Sequence, residues 1–308
     1  MKRFYNFSVF LIFLIFLQYQ SYGQNLYFNF NYERPISTAV VVESQNIDSL
    51  TRRNKVVLNE EIPFYHFIND RNSNNSYVIL LHGLGGSKEY WVNPSLPYLQ
   101  YTKNLTAIKD SLLSLGFNLV IIDAKYHGER TYELNFRDPG SLPPVFSKNE
   151  ADADIFYDLY ISTIKEVQFI MDHLEDISRG PQPKFNLLGY SMGGAFSLIL
   201  NSIDERIQST VACVPPLSRP FSELENFNWS YEISEKMKAI SPLYQSTNQK
   251  SPVAMLMGKT DPFITVEEAR EFYNQIPLED KTLKFYDSGH ELPPNYINDV
   301  ISWLIQHN

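Results

Sequence analysis

Residues 184–195 read KFNLLGYSMGGA. An apolar run (Phe185, Leu187, Leu188) stops at Gly189, and Ser191 follows between Tyr190 and Met192. Gly193 and Gly194 close the turn, and Ala195 to Leu200 suits a helix. The pattern is Gly-x-Ser-x-Gly between a buried strand and a helix, the setting in which that spacing carries meaning. So sharp a turn needs small flanking residues, because neighbouring backbone and side chains crowd it. It lifts the serine oxygen out of the sheet and sets it over a helix N-terminus, which stabilises negative charge. The stretch predicts a serine nucleophile at Ser191.

Strands and helices alternate on both sides of this turn. Upstream, Tyr77 to Leu81 is an apolar strand ending in His82-Gly83-Leu84-Gly85-Gly86. A helix follows, with Leu105, Ile108, Leu112 and Leu115 on one face and a stop at Gly116. Phe117 to Ile122 is the next buried strand and runs into Asp123 and the turn Tyr126-His127-Gly128-Glu129-Arg130. Tyr160, Ile164, Val167, Met171 and Leu174 form a core-facing stripe on a long helix. Downstream, Ser209 to Val214 and Pro252 to Met257 read as strands, the latter ending at Gly258-Lys259-Thr260-Asp261-Pro262. Thr265 and Glu268 form a capping box. Leu283 to Tyr286 is the last strand, before Asp287-Ser288-Gly289-His290, and Pro294 starts a final helix with Ile297, Val300, Ile301 and Leu304 inward. Such alternation predicts an α/β fold, a mostly parallel central sheet with helices on both faces. Ahead of it, Ala39 to Val42, Val56 to Leu58 and Pro63 to Ile68 predict antiparallel lead-in strands.

The 308 residues, 44% hydrophobic and 20% charged, suit one large globular domain. Met1-Lys2-Arg3, the eleven-residue apolar run Phe7 to Leu17 and the small residues Ser21 and Gly23 have the layout of a secretory signal peptide. The run is short for a membrane span, which needs about 20 apolar residues. The expected organisation is a signal peptide over 1–23 and one domain over 24–308, exported to the periplasm or the outside, with no stable membrane insertion after cleavage. Loss of Lys2 and Arg3 takes the formal charge from −9 to −11, which opposes nucleic acid as a partner. The single cysteine, Cys213, excludes an intrachain disulfide and suits a buried apolar position. No Cys/His spacing suits a zinc site.

A serine hydroxyl needs a base to take its proton and a third group to orient that base. In open parallel sheets, functional loops lie at the carboxyl ends of strands. Ser191, Asp261 and His290 all follow strands, in that order. His66 lies in the lead-in strands, His173 on the long helix and His307 at the C-terminus, whereas His82 and His127 adjoin glycines in turns that shape the pocket. Asp123 falls too early in the order, and Asp287 stands too close in sequence to His290.

GYSMGG around Ser191, HGLGG at 82–86, GKTDPF around Asp261 and SGHEL around His290 together resemble the α/β-hydrolase superfamily, from about residue 55 onward. The resemblance implies the α/β-hydrolase fold with a small cap insertion, Ser191 as nucleophile, Asp261 as acid and His290 as base, with no metal or organic cofactor. The residue after the nucleophile supplies one oxyanion donor, so Met192 N–H is the first candidate. Resemblance to the His-Gly-x-Gly loop puts the second at Leu84, with Gly85 as the alternative. The loop lacks the spacing of a P-loop or a dinucleotide loop. His82, His127 and Arg130 are expected behind the reacting groups, since the Tyr-His-Gly-Glu-Arg turn resembles one that places a loop beside the nucleophile in many esterases.

Two insertions, 130–150 and 215–242, are expected to cover the site. In the second, Phe221, Phe227, Trp229 and Tyr231 either wall an apolar substrate group or pack the insert onto the domain. The expected activity is cleavage of a small-molecule or carbohydrate-linked carboxylic ester through an acyl-enzyme. Two alternatives remain open: a serine peptidase or amidase of the prolyl-oligopeptidase-like branch, and a non-catalytic ligand-binding protein on the same fold.

Overall fold

Strands buried on both faces read as unbroken apolar runs, and Tyr77–Leu81, Leu119–Ile122 and Val253–Met257 do so here. They appear in a computed structural model that describes residue 30 and residues 32–96, 99–131, 150–218 and 229–308. The strands are β1 (Ala39–Asn46), β2 (Thr51–Leu58), β3 (Ile62–Asn69), β4 (Ser76–Leu81), β5 (Asn118–Ile122), β6 (Lys184–Tyr190), β7 (Ile207–Cys213), β8 (Val253–Gly258) and β9 (Lys281–Tyr286). The helices are α1 (Glu89–Val92), α2 (Leu99–Ser114), α3 (Glu150–Ile177), α4 (Met192–Ile203), α5 (Tyr231–Ala239), α6 (Val266–Gln275) and α7 (Tyr296–Gln306). One sheet runs in the order β1-β2-β3-β5-β4-β6-β7-β8-β9. β1 to β3 are antiparallel, β3 pairs antiparallel with β5, and every pairing from β5 to β9 is parallel.

The sheet separates two apolar layers. On one face α3, α4 and α5 cover it with Leu159, Ile164, Val167, Phe196 and Met237; on the other Trp91, Ile108, Leu112, Phe272 and Leu304 come from α1, α2, α6 and α7. Each fully buried Leu, Ile or Phe side chain contributes about 1.5–3 kcal/mol relative to exposure. This burial fixes the heights at which the strand ends, and so the loops that follow them, meet.

Local expectations hold with a few corrections. The Thr265–Glu268 capping box is present in full at the start of α6. Leu115 does not face the core: α2 ends at Ser114, Gly116 takes φ +92°, and the turn leaves Leu115 48% exposed while Leu113 takes its place inside. The last helix starts at Tyr296, two residues past Pro294, with Val300 and Leu304 buried and Ile297 and Ile301 partly so. The insert 215–242 carries α5, capped by Ser230 and laid on α3 through Ile233, Met237 and a Lys236–Asp154 ion pair. Among the described residues no helix is long and apolar enough to cross a membrane. Residues 1–23, most of 130–150, Phe221 and Phe227 lie outside the described residues.

Burial also makes stability depend on pH. Desolvation lowers His66 to about 3 and His127 to about 4, and lowers His82 and His173 as well. The unfolded chain takes up these protons near pH 6.5 and the folded chain only below that, so stability present above pH 6.5 is lost as pH falls towards 4. Each strongly shifted histidine contributes about 2 kcal/mol of loss between pH 7 and pH 5. Urea denaturation at the two pH values is expected to show the drop, and His66→Phe to lessen it by about that amount. An unchanged slope in that variant would remove His66 from the account.

Candidate active site

Ser191 sits in a backbone conformation that disfavours side chains, φ +54° and ψ −120°. Such a residue costs about 1–3 kcal/mol and persists only where its surroundings hold it. Here its N–H donates to the Cys213 carbonyl at 2.8 Å, and its own carbonyl accepts from Ala195 N–H at 3.1 Å as α4 begins. The turn tolerates no side chain beneath it: a Cβ at Gly189 would lie 2.0 Å from the Gly193 oxygen, and one at Gly193 2.2 Å from the Leu81 oxygen. The second contact presses the turn against the end of β4 and so brings the HGLGG loop beside Ser191.

β8 and β9 are parallel neighbours, with Gly258 opposite Tyr286. The loops leaving their carboxyl ends therefore travel together. Thr260 N–H donates to the Ser288 carbonyl at 3.0 Å, and a Cβ on Gly258 would stand 1.9 Å from the Gly289 oxygen. This close backbone packing places Asp261 against His290. His290 Nδ1 lies 2.8 Å from Asp261 Oδ2, and His290 Nε2 lies 2.9 Å from Ser191 Oγ. The other carboxylate oxygen, Oδ1, accepts from Phe263 N–H at 2.8 Å. The Asp261 side chain is fully buried, whereas that of His290 keeps 27% exposure. The Phe263 ring meets the imidazole edge-on at 4.8 Å between centroids.

The HGLGG loop is held from behind. Ala124 N–H donates to His82 Nε2 at 3.0 Å, so the ring proton sits on Nδ1, which donates to the Gly83 carbonyl at 2.8 Å. Gly86 N–H donates to the same carbonyl at 3.0 Å. In a trans peptide the N–H points opposite to the C=O, so these bonds turn Leu84 N–H away from Gly86. Leu84 and Gly85 both line the pocket over Ser191. His127 is buried, donates through Nδ1 to the Lys125 carbonyl and packs against His82 at 5.3 Å. Arg130 is buried and forms a two-pronged pair with Glu166 at 2.5 and 2.8 Å.

Asp123 belongs to this support. Its carboxylate accepts from the Lys88 backbone, from Lys88 Nζ at 2.5 Å and from Glu129 N–H. Lys88 is fully buried and also meets Glu129 at 2.6 Å. Burial alone pushes its ammonium down, but the two carboxylates outweigh it and raise it. The network fastens the residues after β4 to those after β5.

The pocket measures about 260 Å3, and its aromatic walls are Tyr90, Tyr101 and Tyr190. Trp229 and Tyr231 are not among its lining residues; Trp229 packs partly buried on the α3 side and Tyr231 is 70% exposed. Tyr90, Tyr101, Lys88 and Glu291 were not singled out from sequence. A signal existed for Glu291, which directly follows His290. None existed for Tyr101, which reads as one more residue of an ordinary helix. Among the described residues no group of His, Cys, Asp and Glu is placed to hold a metal ion.

The family model described as alpha/beta hydrolase fold matches residues 77–250, more than half of the chain. An acetyl xylan esterase from a Thermoanaerobacterium species superposes with a TM-score of 0.68 at 16% identity, covering 92% of this chain and 93% of that one. An acetyl xylan esterase from a Paenibacillus species gives 0.63 at 14% identity, covering 96% and 94%. A Pyrococcus furiosus esterase gives 0.55 at 17% identity, covering 91% and 94%. At such identities the likeness is one of fold. No match was found among curated protein sequences.

Proposed function

The chain belongs to the alpha/beta hydrolase fold family, and from that premise we propose that it is a serine hydrolase cleaving carboxylic esters. The observation that carries the reading is the hydrogen-bonded series Asp261–His290–Ser191, at 2.8 and 2.9 Å. The esterase names of its structural neighbours support the ester as substrate.

In this reading His290 Nε2 takes the Ser191 proton as Oγ attacks the ester carbonyl. Asp261 accepts from Nδ1–H, which holds the free lone pair on Nε2 and stabilises the imidazolium as it forms. The tetrahedral oxyanion is met by Met192 N–H, at the start of α4, and by Leu84 N–H. Leu84 is favoured over Gly85 because its peptide is oriented by the two donors on the Gly83 carbonyl. One such donor is worth about 2.7–4 kcal/mol in the transition state. His290 then passes the proton to the departing alcohol, and an acyl group remains on Ser191. Water gives its proton to the same nitrogen, attacks the acyl carbon and releases the acid. His82, His127 and Arg130 act through the loops they hold. The reading also takes residues 1–23 as a cleaved signal peptide and 24–308 as one exported hydrolase domain.

The test is a fluorophosphonate probe on the purified protein, followed by a panel of p-nitrophenyl esters of rising chain length, acetylated and feruloylated sugars, and aminoacyl amides. Probe attachment at Ser191 with ester turnover is expected. Faster turnover of the amides would favour the peptidase branch. Absence of both labelling and turnover would leave a ligand-binding protein.

A further inference from the structure

Among the described residues, the pocket over Ser191 carries one formal charge outside the Asp261–His290–Ser191 series. Glu291 lines it together with Tyr90, Tyr101 and Tyr190, and no lysine or arginine is among the described lining residues. Glu291 is exposed, and its carboxylate takes no hydrogen bond or ion pair from a described residue. Its backbone is nevertheless held on both sides. Tyr190 Oη donates to the His290 carbonyl at 2.9 Å and accepts from Leu292 N–H at 2.9 Å. A single phenol thus pins the peptides flanking Glu291, and the carboxylate is carried on a fixed support at the pocket edge.

The three rings form a corner. Tyr90 and Tyr101 cross at 78° with centroids 6.0 Å apart, and Tyr101 and Tyr190 at 68° with centroids 4.7 Å apart. Burial, with a further contribution from the Glu291 charge, pushes the Tyr101 and Tyr190 phenols above the ordinary tyrosine range, so both rings stay neutral. Neutral tyrosine rings attract cations, and here they line the pocket beside a carboxylate that no described residue pairs, a setting that favours an ammonium. The same carboxylate repels an anionic substrate, and the chain's formal charge of −9 adds to the effect at long range.

We infer that the Tyr90–Tyr101–Tyr190 corner and Glu291 select substrates that carry an ammonium group close to the scissile bond. The inference rests on the serine-hydrolase reading and adds to it the charge class of the substrate. The ammonium belongs either to the acyl part or to the alcohol part, and the test separates the two.

Two pairs of esters are needed, each matched in shape. One pair carries trimethylammonium or tert-butyl on the alcohol; the other carries the same two groups on the acyl chain. The quantity read is the ratio of kcat/KM, charged over neutral, for the wild-type protein and Glu291→Gln at low and high salt. A preference of about tenfold for one charged ester is expected, shrinking at high salt and falling towards one in the variant. The pair that shows it identifies the side. A ratio near one in the wild-type protein for both pairs, or a preference that Glu291→Gln retains, overturns the inference. Tetramethylammonium binding to Ser191→Ala by calorimetry gives a readout free of turnover, and adding Glu291→Gln is expected to weaken it about tenfold. Glu291-dependent ammonium binding with neither labelling nor turnover of any ester or amide would sink the hydrolase reading and leave an ammonium-binding site in its place. Ester turnover with no Glu291 dependence would do the reverse.

Discussion

Ser191→Ala is expected to lower ester turnover by about 10^4- to 10^6-fold, to the level left by binding and the oxyanion donors alone. The substitution removes the only atom of the turn that is proposed to form a bond with substrate. It costs the fold little. The Ser191 side chain accepts no capping hydrogen bond from α4, so the helix start is unaffected. The lost contact is the one to His290, on a partly exposed imidazole, worth about 1 kcal/mol. Alanine also keeps a Cβ where serine has one, 3.3 Å from the Cβ position of Gly83. Thermal melting and circular dichroism should therefore match the wild-type protein while turnover and fluorophosphonate labelling vanish together. Retention of more than a few per cent of activity by a folded Ser191→Ala protein would end the assignment.

Asp261→Asn is expected to lower kcat by about 10^4-fold with KM little changed. The loss turns on which way the amide must face. Phe263 N–H donates to one oxygen of Asp261, and His290 Nδ1 faces the other. An asparagine keeps an acceptor towards Phe263 only by turning its NH2 towards Nδ1. That NH2 requires Nδ1 to accept, so the imidazole proton moves to Nε2, the nitrogen proposed to take the serine proton. The flipped amide would set its NH2 against Phe263 N–H inside a fully buried site, leaving two donors unsatisfied. The variant is thus locked into the wrong tautomer. Labelling by fluorophosphonate should slow in step with kcat, and the melting temperature should stay within a few degrees. Activity within tenfold of wild type would mean that another group orients His290. Asp287 is a poor substitute, since its side chain is 89% exposed and pairs with Lys259.

Both predictions concern residues that the sequence already marks, and the reason is local. The Ser191 turn is written in twelve consecutive residues, because apolar run, glycines and serine must all be adjacent to make it. Asp261 and His290 are legible because each follows a strand within a few residues, and strands announce themselves by apolar runs. The antiparallel lead-in, the long helix α3 and the capping box of α6 were legible on the same grounds. Leu115 misled because periodicity continues past the point where a helix stops, and α2 ends at Ser114, one residue before it, ahead of the turn at Gly116.

The chain's own order of residues determined the α/β class, the Gly-x-Ser-x-Gly turn and the Ser, Asp, His succession, since each depends on neighbours in sequence. Only the tertiary structure decided what faces Ser191. Tyr90 and Tyr101 reach the pocket because α1 and α2 pack beside the HGLGG loop. Lys88 disappears beneath it because Asp123, thirty-five residues on, supplies a buried carboxylate. Tyr190 carries Glu291 to the pocket edge through hydrogen bonds to residues about a hundred positions away. Burial and partnership at such separations arise from how the strands are ordered in the sheet, and no stretch of sequence read alone contains that order.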